Sequence, residues 1–97
     1  GIEGNLSRVI PDGLSAKIDL SKLRILKIFQ YIRNSGNISD EEMLRTFNCG
    51  VGFNIVVNPK DKVEVMNHIN RFYDCYEIGT IETGNSKVEF VNRMNWL

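Results

Sequence analysis

The octapeptide Arg45-Thr46-Phe47-Asn48-Cys49-Gly50-Val51-Gly52 restricts the fold of this chain more than any other stretch. Helical spacing precedes it and apolar alternation follows it, so a helix has to hand over to an extended segment within a few residues. Two glycines, two positions apart, free the backbone at that handover and let main-chain N–H groups approach a ligand closely. The corner therefore belongs at a helix–strand junction, and any chemistry in the chain is expected there.

The flanking elements can be read in order. Residues 1–20 show no sustained period, apart from a turn at Pro11-Asp12-Gly13 and a short extended piece at residues 16–20. Ile25, Ile28, Phe29 and Ile32 fall on one helical stripe, predicting a helix from about residue 22 to 34 that ends at Gly36 as a left-handed cap. Ser39 and Glu42 have the spacing of a capping box, with Ile38 and Met43 as a hydrophobic staple, so a second, short helix feeds the corner.

Beyond the corner, Val51, Phe53, Ile55 and Val57 alternate and predict a strand over residues 51–57, whose other face is interrupted by Asn54. Asn58-Pro59 then starts a helix with Val65, Met66, Ile69, Phe72 and Tyr73 as its buried stripe and His68 facing solvent. Residues 76–82 read as extended, with Gly79 marking a bulge or a close backbone approach. Residues 83–86 read as a turn and 87–91 as the hairpin partner. The tail from Arg93 has no assignable element. This order predicts an α+β fold, a layered sandwich of helices against a mixed or antiparallel sheet, and residues 1–97 suit one small domain or a piece of a larger one.

A chain of 97 residues buries roughly 60–65% of its unfolded surface, enough for one modest core. Its 42% hydrophobic and 25% charged residues are those of a globular domain. Twelve basic and twelve acidic residues cancel, which leaves no field to draw in nucleic acid or an anionic membrane. No apolar run is long enough to span a bilayer, and no signal or transit pattern opens the chain. Cys49 and Cys75 fit no metal spacing and are expected as free thiols of a cytoplasmic protein. Gly1-Ile2-Glu3-Gly4 reads as the tail of a glycine-rich loop, so a fragment is expected.

Taken residue by residue, the chain has no Ser/His/Asp set, no HExxH pair and no phosphate loop with its lysine. The run Asp40-Glu41-Glu42 is accounted for by the start of a helix. What remains is a polar glycine turn whose N–H groups can face an anion, with Thr46 and Asn48 adding hydrogen bonds. The same GxG spacing equally serves local packing, and Cys49, with no adjoining base or cation, reads as a small packed residue. On the residues alone the function stays open.

The string Glu42-Met43-Leu44-Arg45-Thr46-Phe47-Asn48-Cys49-Gly50-Val51-Gly52 resembles the phosphoribosylformylglycinamidine cyclo-ligase (AIR synthetase) family, whose pattern is E-M-x-R-T-F-N-x-G-[IV]-G. Asn5 to Pro11 is similar to the family's N-[IL]-P-R-[VL]-[LI]-P segment, Ile28 to Ser39 to its helix and Gly-Asn-[IV] turn, and Tyr76 to Gly79 to its late Ile-Gly strand. The resemblance covers residues 1 to 82. Ser7 stands in place of Pro, Gly4 in place of Glu, and Asn54 in place of an apolar residue.

The resemblance implies the distal part of that family's C-terminal domain, a partly ferredoxin-like sandwich, without the N-terminal domain that carries the ATP site. It implies closure of the imidazole ring of aminoimidazole ribonucleotide from formylglycinamidine ribonucleotide in purine biosynthesis, with ATP and Mg2+ bound mainly by the absent half, and a homodimer. ATP phosphorylates the formyl oxygen, the amine nitrogen attacks and phosphate leaves; a side-chain nucleophile is not required. Carried over onto this sequence, Asn48, Gly50 and Gly52 are expected to line the substrate or phosphate side of the cleft. Thr46 and Arg45 are expected to support them, and Asn5 and Arg8 to reach in from the opposite segment. No residue of this chain is expected to bind metal. Two alternatives stand beside this: another ATP-dependent superfamily member, of selenophosphate synthetase or thiamine-monophosphate kinase type, or a non-catalytic α+β binding module.

Overall fold

The computed structural model of the chain describes residues 1–96. Its sheet has strand order β2-β1-β3. The central strand β1 (Leu14–Asp19) runs antiparallel to β2 (Gly79–Thr83) and parallel to β3 (Lys87–Val91). Four α-helices accompany it: α1 (Ile2–Leu6), α2 (Lys27–Gly36), α3 (Asp40–Thr46) and α4 (Lys62–Ile69). The α+β sandwich with a mixed sheet is therefore the observed architecture.

Period-two alternation decides which face of the sheet is covered. Ala16 pairs with Ile81 and Val88, and Ile18 pairs with Gly79 and Phe90, so these residues share one face. Ile2, Leu6 and Ile10 join Ala16, Ile18, Val88 and Met43 in the core, with α1 packed against α3 and β3. Burying each of these side chains other than Ala16 stabilises by about 1.5–3 kcal/mol. Thr80, Glu82 and Glu89 point to the opposite face and are exposed.

Several expectations need correction. The strands β2 and β3 do not form a hairpin, because β1 lies between them. Residues 84–86 pass over the end of β1, where the Gly84 N–H donates to the Gly13 carbonyl at 3.1 Å and the Ser15 and Ser86 hydroxyls lie 3.3 Å apart. A Cβ at Gly84 would press on that of Ser15, so the crossing needs a glycine. The extended piece expected at 16–20 is this central strand, and it starts at Leu14.

Residues 51–57 form no strand in the structure. Alternation reports which side chains share a face, but a strand also needs a neighbour to take its backbone hydrogen bonds, and none of the described strands lies beside this segment. Phe53 is 84% exposed as a result, and Ile55 and Val56 are exposed too. The stripe assigned to the third predicted helix also breaks up. The helix α4 ends at Ile69, which throws Phe72 and Tyr73 out of its period and leaves Tyr73 78% exposed. The accessible surface, 6949 Å² for 11.1 kDa, exceeds the roughly 5,700 Å² expected of a compact monomer of that mass.

The helix α2 begins at Lys27 rather than near residue 22, since Leu23 and Leu26 are extended. Its left-handed cap is Asn37, with φ 48°, and Gly36 is its last helical residue. The start of α3 is capped as expected by Ser39, whose hydroxyl accepts from the Glu42 N–H at 3.3 Å. The box is only half made, because Glu42 turns its carboxylate to Arg45 and Thr46 instead of back to Ser39. Asn58 caps a single 3-10 turn (Pro59–Asp61) that leads into α4.

Candidate functional site

The corner is closed by one residue, Asn48, through both its main chain and its side chain. After α3, the Val51 N–H donates to the Asn48 carbonyl at 3.0 Å, and the Gly50 N–H donates to Asn48 Oδ1 at 2.8 Å. Between them Cys49 and Gly50 both take positive φ, 54° and 102°, the pattern of a type I′ turn. A Cβ on Gly50 would crowd the Arg24 carbonyl and Leu26 at 3.2 Å, so both conformation and space demand glycine there. Two of the N–H groups that an anion-binding corner would offer are thus spent on holding the turn closed.

Cys49 occupies the left-handed region although it is not a glycine. It is fully buried, with Sγ 3.8 Å from the Met43 carbonyl. Burial pushes its thiol above the ordinary range, and the charge of Asp40 adds to the shift. A sealed, protonated thiol is a packing residue and not a nucleophile.

An open cleft of about 320 Å³ lies between α1 and the corner. Asn5, Leu6 and Val9 come from the α1 side, while Asn48, Gly52 and Asn54 come from the corner and the segment after it. Three of the residues expected at the site, Asn5, Asn48 and Gly52, are therefore brought together. Gly50 backs the turn against Arg24 and Leu26. Thr46 Oγ1 donates to Glu42 Oε1 at 3.0 Å and Arg45 Nη1 to Glu42 Oε2 at 3.1 Å, so both are held along the flank of α3. Arg45 borders a second hollow of about 480 Å³, with Glu3, Ser7 and Phe90. Arg8 is exposed and lines neither.

Val9, Phe53 and Asn54 line the cleft without having been expected there. The sequence signal for Asn54 was present, as the one polar residue breaking an apolar alternation. No charged side chain lines this cleft. Among the described residues no three His, Cys, Asp or Glu side chains gather in one place, and no helix is long and apolar enough to cross a membrane.

Residues 1–92 match the family model described as AIR synthase related protein, C-terminal domain. Over 97 residues the chain is 38% identical to the phosphoribosylformylglycinamidine cyclo-ligase of Brevibacillus brevis, covering 99% of this chain and 28% of that protein. It is 50% identical over 64 residues to the bifunctional purine biosynthetic protein purD of Dictyostelium discoideum, covering 66% of this chain and 8% of that one. The chain thus spans less than a third of the length of these relatives. The family match over nearly all of the sequence agrees with the Asn48–Gly52 corner and the mixed sheet, and the chain belongs to the AIR synthase related family through its C-terminal domain.

Proposed function

We propose that this chain forms one wall of the substrate cleft of an ATP-dependent cyclo-ligase that closes the imidazole ring of aminoimidazole ribonucleotide from formylglycinamidine ribonucleotide. The observation that carries this reading is the 38% identity to a cyclo-ligase along 99% of the chain. The Asn48 corner and Asn5, sharing one cleft, agree with it. In this reading ATP and Mg2+ are bound mainly by polypeptide outside these residues, and the complete enzyme is a cytoplasmic homodimer.

In this reading Asn48 and Gly52 face the substrate, with Asn5 opposite and Gly50 shaping the turn. Arg45 and Thr46 act indirectly, by fixing Glu42 and the last turn of α3. A reaction of this kind asks the protein for positioning rather than for a nucleophile, which suits a wall whose one nearby thiol is sealed. The test is Asn48→Ala in the complete enzyme. We expect kcat/KM for cyclisation to fall at least about tenfold, the effect of losing one positioned hydrogen bond. An unchanged value overturns the assignment. The 97-residue chain alone, mixed with ATP and substrate, is expected to give no turnover.

A further inference from the structure

We propose that the cleft between α1 and the corner takes the 2′,3′-diol of a ribosyl group, held by the side-chain amides of Asn5, Asn48 and Asn54. This rests on the cyclo-ligase reading for the identity of the ligand, and on the geometry of the cleft for the part of it that is held.

The hydrogen-bonding capacity left in the cleft is specific. Asn5 Nδ2 donates to the Gly1 carbonyl at 2.9 Å, which leaves Oδ1 as an acceptor. Asn48 Oδ1 accepts from Gly50, which leaves Nδ2 as a donor. Asn54 is half-buried in the same cleft, and its amide contributes one donor group and one acceptor. Two neighbouring hydroxyls, each able to donate and accept, match that set.

A phosphate does not match it. No lysine, arginine or histidine lines the cleft, and the Gly50 and Val51 N–H groups are already engaged by Asn48. An anion would find there only the neutral amide donors of Asn48 and Asn54, with no lysine, arginine or histidine side chain to offset its desolvation. The rest of the lining is largely apolar, with the exposed Val9 and Phe53 able to pack the C–H face of a sugar. A volume of about 320 Å³ lies at the small end of ligand sites, which suits a sugar ring better than a whole nucleotide.

Dissociation constants in the complete enzyme decide the matter. The probes are formylglycinamidine ribonucleotide, its 2′,3′-dideoxy analogue and its nucleoside without the 5′-phosphate, measured with the natural protein, Asn54→Leu and Asn5→Ala. Asn54→Leu is expected to weaken the ribonucleotide about tenfold while leaving the dideoxy analogue unchanged, because the interaction it removes is already gone. The nucleoside is expected to keep the same sensitivity. Asn5→Ala, on the other wall, repeats the pattern if the diol is shared. Equal weakening of ribo and dideoxy ligands, or sensitivity that disappears with the phosphate, overturns the diol assignment and leaves the cyclo-ligase reading standing. A natural protein that binds neither nucleotide overturns both.

Discussion

The indole N–H of Trp96 donates to Asp40 Oδ1 at 3.0 Å, tying the end of the chain to the first residue of α3. Arg33 Nε donates to the same oxygen at 3.1 Å, and the Arg33 guanidinium lies 4.8 Å from the centre of the indole ring. Gln30 Nε2 completes the set by donating to the Trp96 carbonyl at 3.0 Å. The tail, unassigned from sequence, joins α2 to the helix that carries the corner.

Removing the shared acceptor is therefore expected to loosen that junction. Asp40→Ala leaves an indole N–H and a guanidinium without their partner, at a cost of about 1–3 kcal/mol. Trp96 is the one tryptophan in the chain, so its emission should move to the red in the same variant. Chemical denaturation followed by fluorescence measures both, and an unshifted spectrum would show that the tail is held by something else.

The two thiols should differ sharply in reactivity. Cys49 is sealed and its titration is pushed upward by burial, whereas Cys75 is only half-buried. Native protein with a chromogenic disulfide reagent is expected to release one equivalent quickly, from Cys75, with the second appearing only on addition of denaturant. Rapid release of two equivalents from the native state would contradict the packing of the corner.

Two glycines give opposite signs. At Gly79 a Cβ would strike the backbone carbonyl of Lys17 across the β1–β2 pair, so Gly79→Ala should destabilise by about 1–3 kcal/mol. At Gly4, inside α1, a Cβ would meet nothing within 4 Å. There the exchange should stabilise by about 0.5–1 kcal/mol through lower chain entropy and better helix propensity. Thermal melts of the two variants side by side check the contrast.

Acid should weaken the fold through two partly exposed carboxylates. The Ser21 hydroxyl, and after it the Asn92 amide, hold the Asp19 carboxyl below its ordinary value, and the hydrogen bond from Lys62 does the same for Glu77. Folded values that lie below the unfolded ones give stability that is complete above the usual carboxylate range, about pH 4. It is lost as the pH falls through the folded values. Ser21→Ala is expected to move the Asp19 titration upward and flatten the acid limb of the stability curve, as read by carboxyl carbon NMR and denaturation at several pH values.

The apolar side chains left uncovered after the corner should make the chain sticky. Phe53, Ile55 and Val56 are exposed together, which is the kind of patch that drives association. Phe53→Lys with Ile55→Lys is expected to lower binding of an apolar dye and to shift sedimentation at high concentration toward the monomer. If the natural chain stays monomeric and dark to the dye, the patch is shielded in solution.

How far the sequence could be read depends on whether the deciding contact is local. Caps and turns were legible because their partners are near neighbours: Ser39 over Glu42, Asn58 over Lys60, and Gly13 closing its turn with φ 83°. The sheet order was not, since nothing in residues 79–91 announces that Leu14–Asp19 will slide between the two strands. The corner was located by its glycines and asparagine, but the way the Asn48 side chain occupies the Gly50 N–H depends on a rotamer. The place of Asn54 in the cleft depends on the missing strand ladder, which alternation alone cannot reveal.

The position of β1 between β2 and β3 has a further consequence for how the molecule is made. The two late strands are separated by only residues 84–86, yet they cannot zip together as a local nucleus because their shared neighbour comes from the opposite end of the chain. Every ladder in the sheet joins residues more than sixty positions apart, the kind of topology that folds slowly. During synthesis β1 emerges before either of its partners and has to wait, unpaired, until residues 79–91 have been delivered. A chain cut anywhere between residues 83 and 87 would lack β3, leaving one edge of its central strand bare.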